Sequence, residues 1–144
     1  MTNSTNNPRR SNGSRRTQLR NRLKAEGRAC WICVAMGKPA NVARIDYGLP
    51  PNHPYAFEVD ELVPVSRYWR GGYPSADACA LDYKNLAAAH RCCNQWRGNR
   101  SVDEVLQIAR DLKAGKKPKD KPAPRIIGEH QTSRDWRHFK PKGR

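Results

Sequence analysis

No stretch of this 144-residue sequence approaches the ~20 consecutive apolar residues that a membrane-spanning helix needs. The opening, MTNSTNNPRRSNGSRR, carries charge but no apolar segment, which excludes the form of a secretory signal. Five cysteines make an odd number, and without such a signal a full disulfide framework is not expected. No internal repeat and no alternation of strands with helices runs along the chain, which excludes repeat architectures and the doubly wound α/β class. Acidic residues are scarce, 13 against 28 Lys and Arg, for a formal net charge of +15.

The positive charge is concentrated at the two ends. Residues 1–28 carry eight basic and one acidic side chains, residues 29–94 six of each, and residues 95–144 fourteen and six. A neutral middle between basic flanks points to an intracellular protein that meets a polyanion, nucleic acid being the usual one. A solvated basic surface serving solubility is the plainer alternative.

The length fits one domain plus tails. Residues 1–16, rich in Asn, Ser and Arg, read as a disordered basic arm. Thr17 opens a short basic helix with Leu19 and Leu23 four apart and Gly27 as its stop. The apolar run ACWICVAM (29–36) follows, and 37–54 has the Pro, Gly and polar content of a loop. Tyr55 to Val63 is expected as a strand ended by Pro64, with Phe57, Val59 and Glu61 on one face. Residues 64–84 read as a long loop rich in Gly, Pro and aromatics, of a length more often functional than idle. NLAAAH (85–90) is a short apolar segment that leads into a helix beginning within RCCNQWRGNR. Ser101-Val-Asp-Glu104 is a capping box, followed by Val102, Val105, Leu106, Ala109 and Leu112 at helical spacing. The domain thus spans 17–115, and 116–144 is a Lys/Pro-rich tail in which Trp136 and Phe139 offer a docking point.

Two short pairs carry chemistry. Cys30-Trp-Ile-Cys33 and His90-Arg-Cys-Cys93 each present two ligands from a tight turn, and together they close one tetrahedral zinc site. The rival for the first pair is a redox dithiol, but it leaves the second pair unexplained. Cys92 is an alternative to Cys93. A thin core, with hydrophobic residues only 37% of the chain, gives such a staple a purpose. Asp60 and Glu61 end the strand, and Asn85 and Asn94 flank the second apolar segment. Asp60 with Asn94 is a set suited to a hard cation such as Mg²⁺, next to a basic surface and hence to phosphodiester chemistry. Taken alone, these residues are more often a solvated strand edge and turn caps.

The string FEVDELVPVSRYWRGG…DYKNLAAAHRCCNQWRGNR resembles the core of the HNH endonucleases, the ββα-metal nucleases, and within them the zinc-knuckle type of bacteriophages. Asp60, Leu62 and Pro64 match the opening of that pattern, Gly71-Gly72 its loop and Asn85-Leu86 its middle. His90, Cys93, Asn94, Arg97 and Gly98 match its close, with Cys30 and Cys33 upstream. The resemblance covers about residues 30–100 and implies an α+β fold: a small ββα core stapled by structural zinc, flanked by helices and basic tails. It implies a metal-dependent DNA endonuclease that makes nicks or double-strand breaks in the cytoplasm of a bacterial host, with a phage terminase as a plausible partner.

Asp60 and Asn94 would bind catalytic Mg²⁺ or Mn²⁺, and Asn85 would orient the base or order the loop. The family's general base is His, and this chain has Glu61 there. Glu61 would serve as the base, or add a metal ligand, or mark a dead site; His53 is a remote substitute. Arg91, Arg97 and Arg100 are expected at phosphates, and Arg67 and Arg70 with Tyr68 and Trp69 at DNA from the long loop. For the two aromatics, a small core within the loop is an equal expectation. The alternative function is a zinc-stabilised DNA-binding protein that keeps the fold and has lost the chemistry.

Overall fold

A computed structural model describes residues 12–118 together with 123, 124 and 126. It is an α+β arrangement of short helices around one two-stranded antiparallel sheet. Three helices precede the sheet: α1 (Gly13–Glu26), α2 (Trp31–Ala35) and α3 (Ala40–Ala43). Strand β1 (Phe57–Glu61) is followed by a 3-10 segment (Val65–Gly71), α4 (Ala76–Leu81), a 3-10 turn (Tyr83–Asn85) and β2 (Leu86–His90). Helix α5 (Arg91–Arg97) leaves β2 directly, and α6 (Val102–Lys113) follows.

The strands pair from Phe57↔His90 to Glu61↔Leu86. β2 is buried along its whole length, which explains its run of Leu and Ala without polar alternation. β1 is covered on both faces. On one, Arg20 lies 5.1 Å over the Phe57 ring and Arg16 reaches Glu61; on the other, Glu58 and Asp60 meet side chains of α5. The first two N–H groups of α5 donate to the carbonyls of Ala56 and Pro54 at 2.8 Å, so the turn segment before β1 supplies the partners that a helix start lacks.

Several expected boundaries shift. α1 begins at Gly13, inside the segment expected to be a disordered arm, because Arg16 is tied to Glu61 and to the Ala80 carbonyl. The expected loop at 37–54 contains α3, and the one at 64–84 contains α4, capped by Ser75 Oγ accepting from Ala78 N at 3.1 Å. Val65, Cys79 and Ala80 form a small satellite core there with Tyr68 and Tyr73 against it, while Trp69 is 61% exposed. The glycine pair of this segment has two separate causes. A Cβ on Gly71 would stand 2.9 Å from Val63 and Tyr73 side chains, and Gly72 turns the chain at φ +76°.

α6 starts at its expected cap, with Ser101 Oγ accepting from Glu104 N at 3.1 Å, and buries Val105 and Ile108. Past it, Ile126 and Ala123 pack on the main core, so the tail is tied down at that point rather than wholly extended. Residues 1–11, and the docking point at Trp136 and Phe139, lie outside the described residues. Among the described residues, no helix is long and apolar enough to cross a membrane.

Candidate metal centre and the carboxylate site beside it

Cys30, Cys33, His90 and Cys93 converge, all buried, with their ligand atoms within 4.8 Å of one another. Cys30 caps α2 and Cys33 sits one turn on; His90 ends β2 and Cys93 lies in the first turn of α5. The backbone locks the approach. Cys30 N donates to the Ala43 carbonyl at 2.8 Å, and His90 N points at Cys30 Sγ at 3.4 Å.

The edges fit a tetrahedron. Metal–sulfur bonds of about 2.3 Å and metal–nitrogen bonds of about 2.0–2.1 Å imply S···S edges near ~3.8 Å and S···N edges near ~3.5 Å. Cys33 Sγ lies 3.8 Å from Cys93 Sγ and 3.5 Å from His90 Nδ1, and Cys93 Sγ lies 3.9 Å from that nitrogen. His90 Nε2 is 3.1 Å from the Arg44 carbonyl, which only accepts, so Nε2 carries the proton and Nδ1 turns its lone pair to the sulfurs. Three sulfurs and one imidazole form a group that can hold a structural metal such as zinc. Cys93, rather than its neighbour Cys92, is the member of this converging set.

The crowded thiols act on one another: hydrogen bonds with Cys33 and Cys93 pull the Cys30 thiol down, and the same contacts push those of Cys33 and Cys93 up.

The second constellation is built differently. Asp60 is 6% exposed, and both of its oxygens are engaged: Oδ1 accepts from Arg97 Nη1 and Oδ2 from Trp31 Nε1, each at 2.7 Å. Burial nevertheless holds the carboxyl above its ordinary range, outweighing the Arg97 and Trp31 hydrogen bonds. Arg97, expected at a phosphate, is itself 3% exposed and donates also to the carbonyls of Glu61 (2.9 Å), Leu62 (2.7 Å) and Arg100 (3.1 Å). It is an interior residue, and its guanidinium lies 5.3 Å over the Trp31 ring.

Asn94 meets Glu58 rather than Asp60, its amide donating to Glu58 Oε1 at 3.0 Å, while Arg91 pairs with the other oxygen of Glu58 at 3.3 Å. A divalent cation between Asp60 and Asn94 therefore does not fit the side chains as they stand. The carboxylate already has a cation, and the amide is turned to a different acid.

Glu61 projects to the opposite face. Oε1 pairs with Arg16 Nη2 and Oε2 accepts from Val65 N, both at 3.2 Å. Next to it runs a cleft of about 320 Å³ lined by Arg16, Thr17, Arg20, Glu58, Val59 and Leu86. Asn85 clasps the backbone of Val63, accepting from its N–H at 2.8 Å and donating to its carbonyl at 2.9 Å, and so fixes the chain just beyond Glu61. His53 is buried, with Nδ1 accepting from Tyr55 N. Arg67 and Arg70 are exposed, and Arg100 lies 4.7 Å over the Trp96 ring.

Sequence reasoning missed Trp31, Arg16 and Glu58. The first two are read easily as a knuckle filler and a tail cation, and the third had no partner in view until Asn94 turned to it. Compared with known proteins, the chain matches no family model, no curated protein and no solved structure.

Proposed function

We propose that this chain is a DNA endonuclease of the HNH type, hydrolysing phosphodiester bonds, with zinc as the ion of its Cys30/Cys33/His90/Cys93 group. The observation that carries the reading is the placement of Glu61. A carboxylate at the end of β1 is held by Arg16 and a backbone N–H, next to an arginine-lined cleft, in a strand–strand–helix unit stapled by the four ligands.

The motif order from Asp60 to Gly98 supports the same reading. Glu61 acts as the base that takes a proton from water, and Arg16 sits where developing phosphate charge needs a donor. Arg67, Arg70, Arg91 and Arg100 hold flanking phosphates, with the basic ends of the chain adding a sequence-independent grip. A phage origin, with terminase as partner, belongs to this reading. The zinc only shapes the site.

A second reading is DNA binding without cleavage. It is favoured by Arg97 closing Asp60, where the resemblance puts the catalytic cation. Supercoiled plasmid decides between the two. The wild type is incubated with Mg²⁺, Mn²⁺ or EDTA, next to Glu61→Ala and Asp60→Ala. Nicking lost in Glu61→Ala is the expected result. Retarded migration with intact strands in every lane selects the binder, and nicking equal in all lanes removes the enzyme reading.

A further inference from the structure

The geometry points to Arg97 as the resident cation of Asp60: this aspartate is an interior ion-pair anchor and does not ligate a divalent metal ion in the folded protein. The inference stands whether or not the chain cuts DNA.

Its first ground is saturation. A carboxylate that binds a hard cation offers at least one oxygen to it, and a hydrated Mg²⁺ or Mn²⁺ brings further waters that need room. Asp60 is 6% exposed, and each of its oxygens already accepts at 2.7 Å, one from a guanidinium and one from an indole.

The second ground is that Arg97 cannot swing aside. Four of its five N–H groups are bonded, one to the carboxylate and three to the carbonyls of Glu61, Leu62 and Arg100. Its flat face lies over Trp31. An entering cation would break a charge-assisted bond and leave a buried guanidinium facing it at close range, an arrangement in which both the broken pair and the like charges oppose entry.

The third ground is Asn94. Its amide nitrogen donates to Glu58, whose other oxygen is held by Arg91, so the orientation of this side chain is set by Glu58 and not by Asp60. Trp31, between Cys30 and Cys33 in the chain, ties the Asp60–Arg97 pair to the metal-binding knuckle. The pair therefore joins α2, β1 and α5 at one point, with the guanidinium as the positive centre.

The test uses the zinc-loaded full chain and Mn²⁺ alone as probe, with the free Mn²⁺ signal followed by electron paramagnetic resonance. Wild type is compared with the near-isosteric Asp60→Asn, zinc content being measured in both. Equal Mn²⁺ binding, within threefold, is expected. A wild-type site that Asp60→Asn weakens threefold or more, with zinc retained, overturns the inference.

Melting temperatures give the second arm. Asp60→Asn and Arg97→Met are each expected to lower Tm, and the double variant to melt no lower than the worse single one. Additive losses would mean that the two side chains do not act as a pair, and would overturn the inference as well.

Discussion

Two polar clusters lie side by side in this protein, joined through Trp31, and they differ in what completes them. At the Cys30/Cys33/His90/Cys93 group, four ligand atoms lie within 4.8 Å of one another, with no side-chain cation among them. At Asp60 the opposite charge is part of the chain, at 2.7 Å. The first cluster offers its donors to a metal ion; the second is finished by folding. Soft donors gathered without a cation form a binding site, whereas a carboxylate gathered with an arginine forms a joint.

The largest effect expected from this difference is metal removal. Structural zinc contributes about 10–16 kcal/mol in small zinc domains, on the scale of the about 5–15 kcal/mol of net stability typical of a folded domain. Chelation of the metal, or Cys93→Ser, is expected to abolish the cooperative melting transition seen by circular dichroism. Cys92→Ala should keep one zinc per chain, since the ligand atoms that converge are those of Cys30, Cys33, His90 and Cys93. If Cys92→Ala lost the zinc and Cys93→Ser kept it, the ligand assignment would be reversed.

A smaller effect is expected at the link between the clusters. Trp31→Phe keeps an aromatic face for Arg97 but removes the N–H that Asp60 Oδ2 accepts. Leaving a buried acceptor unpaired costs about 1–3 kcal/mol, measurable as a lower denaturant midpoint at unchanged slope. Zinc stoichiometry should stay at one, because Trp31 supplies no ligand. Loss of zinc from Trp31→Phe would merge the two clusters into one unit and break the comparison.

The same contrast explains what was legible in the sequence. The Cys/His group could be read because each half of it is local: candidate ligands three apart in a turn point the same way whatever the rest of the chain does. Ser101 as a cap was readable for the same reason. The partners of Asp60 were not, because Trp31 and Arg97 lie 29 and 37 residues away, and nothing in either residue type distinguishes an interior cation from a surface one.

Arg97 was therefore expected at a phosphate. The start of α1 was misread likewise, since Arg16 is ordered by partners 45 and 64 residues distant. Helix α4 had a local signal in Ser75 and the small residues after it, masked by the surrounding Pro and Gly. Asn85 at the loop could be matched to a motif, but its clasp on Val63 required the strand pairing to be known.

The smallest expected effect separates interior from exterior arginines on DNA, and it rests on the proposed partner. Removing one cation from a phosphate lowers the slope of log affinity against log salt by about 0.9 on duplex DNA. Arg67 and Arg70 are exposed, so Arg67→Ala with Arg70→Ala should flatten that slope by about 1.8 if both touch phosphates. Arg97→Met, which removes a cation held by three carbonyls and a carboxylate, should leave the slope as in the wild type while lowering stability. Fluorescence anisotropy at several salt concentrations reads the slope, and a melt on the same samples reads the stability. A flattened slope in Arg97→Met at unchanged Tm would put this guanidinium on the DNA and remove it from the interior pair, erasing the distinction between the cation that builds the site and those that grip its partner.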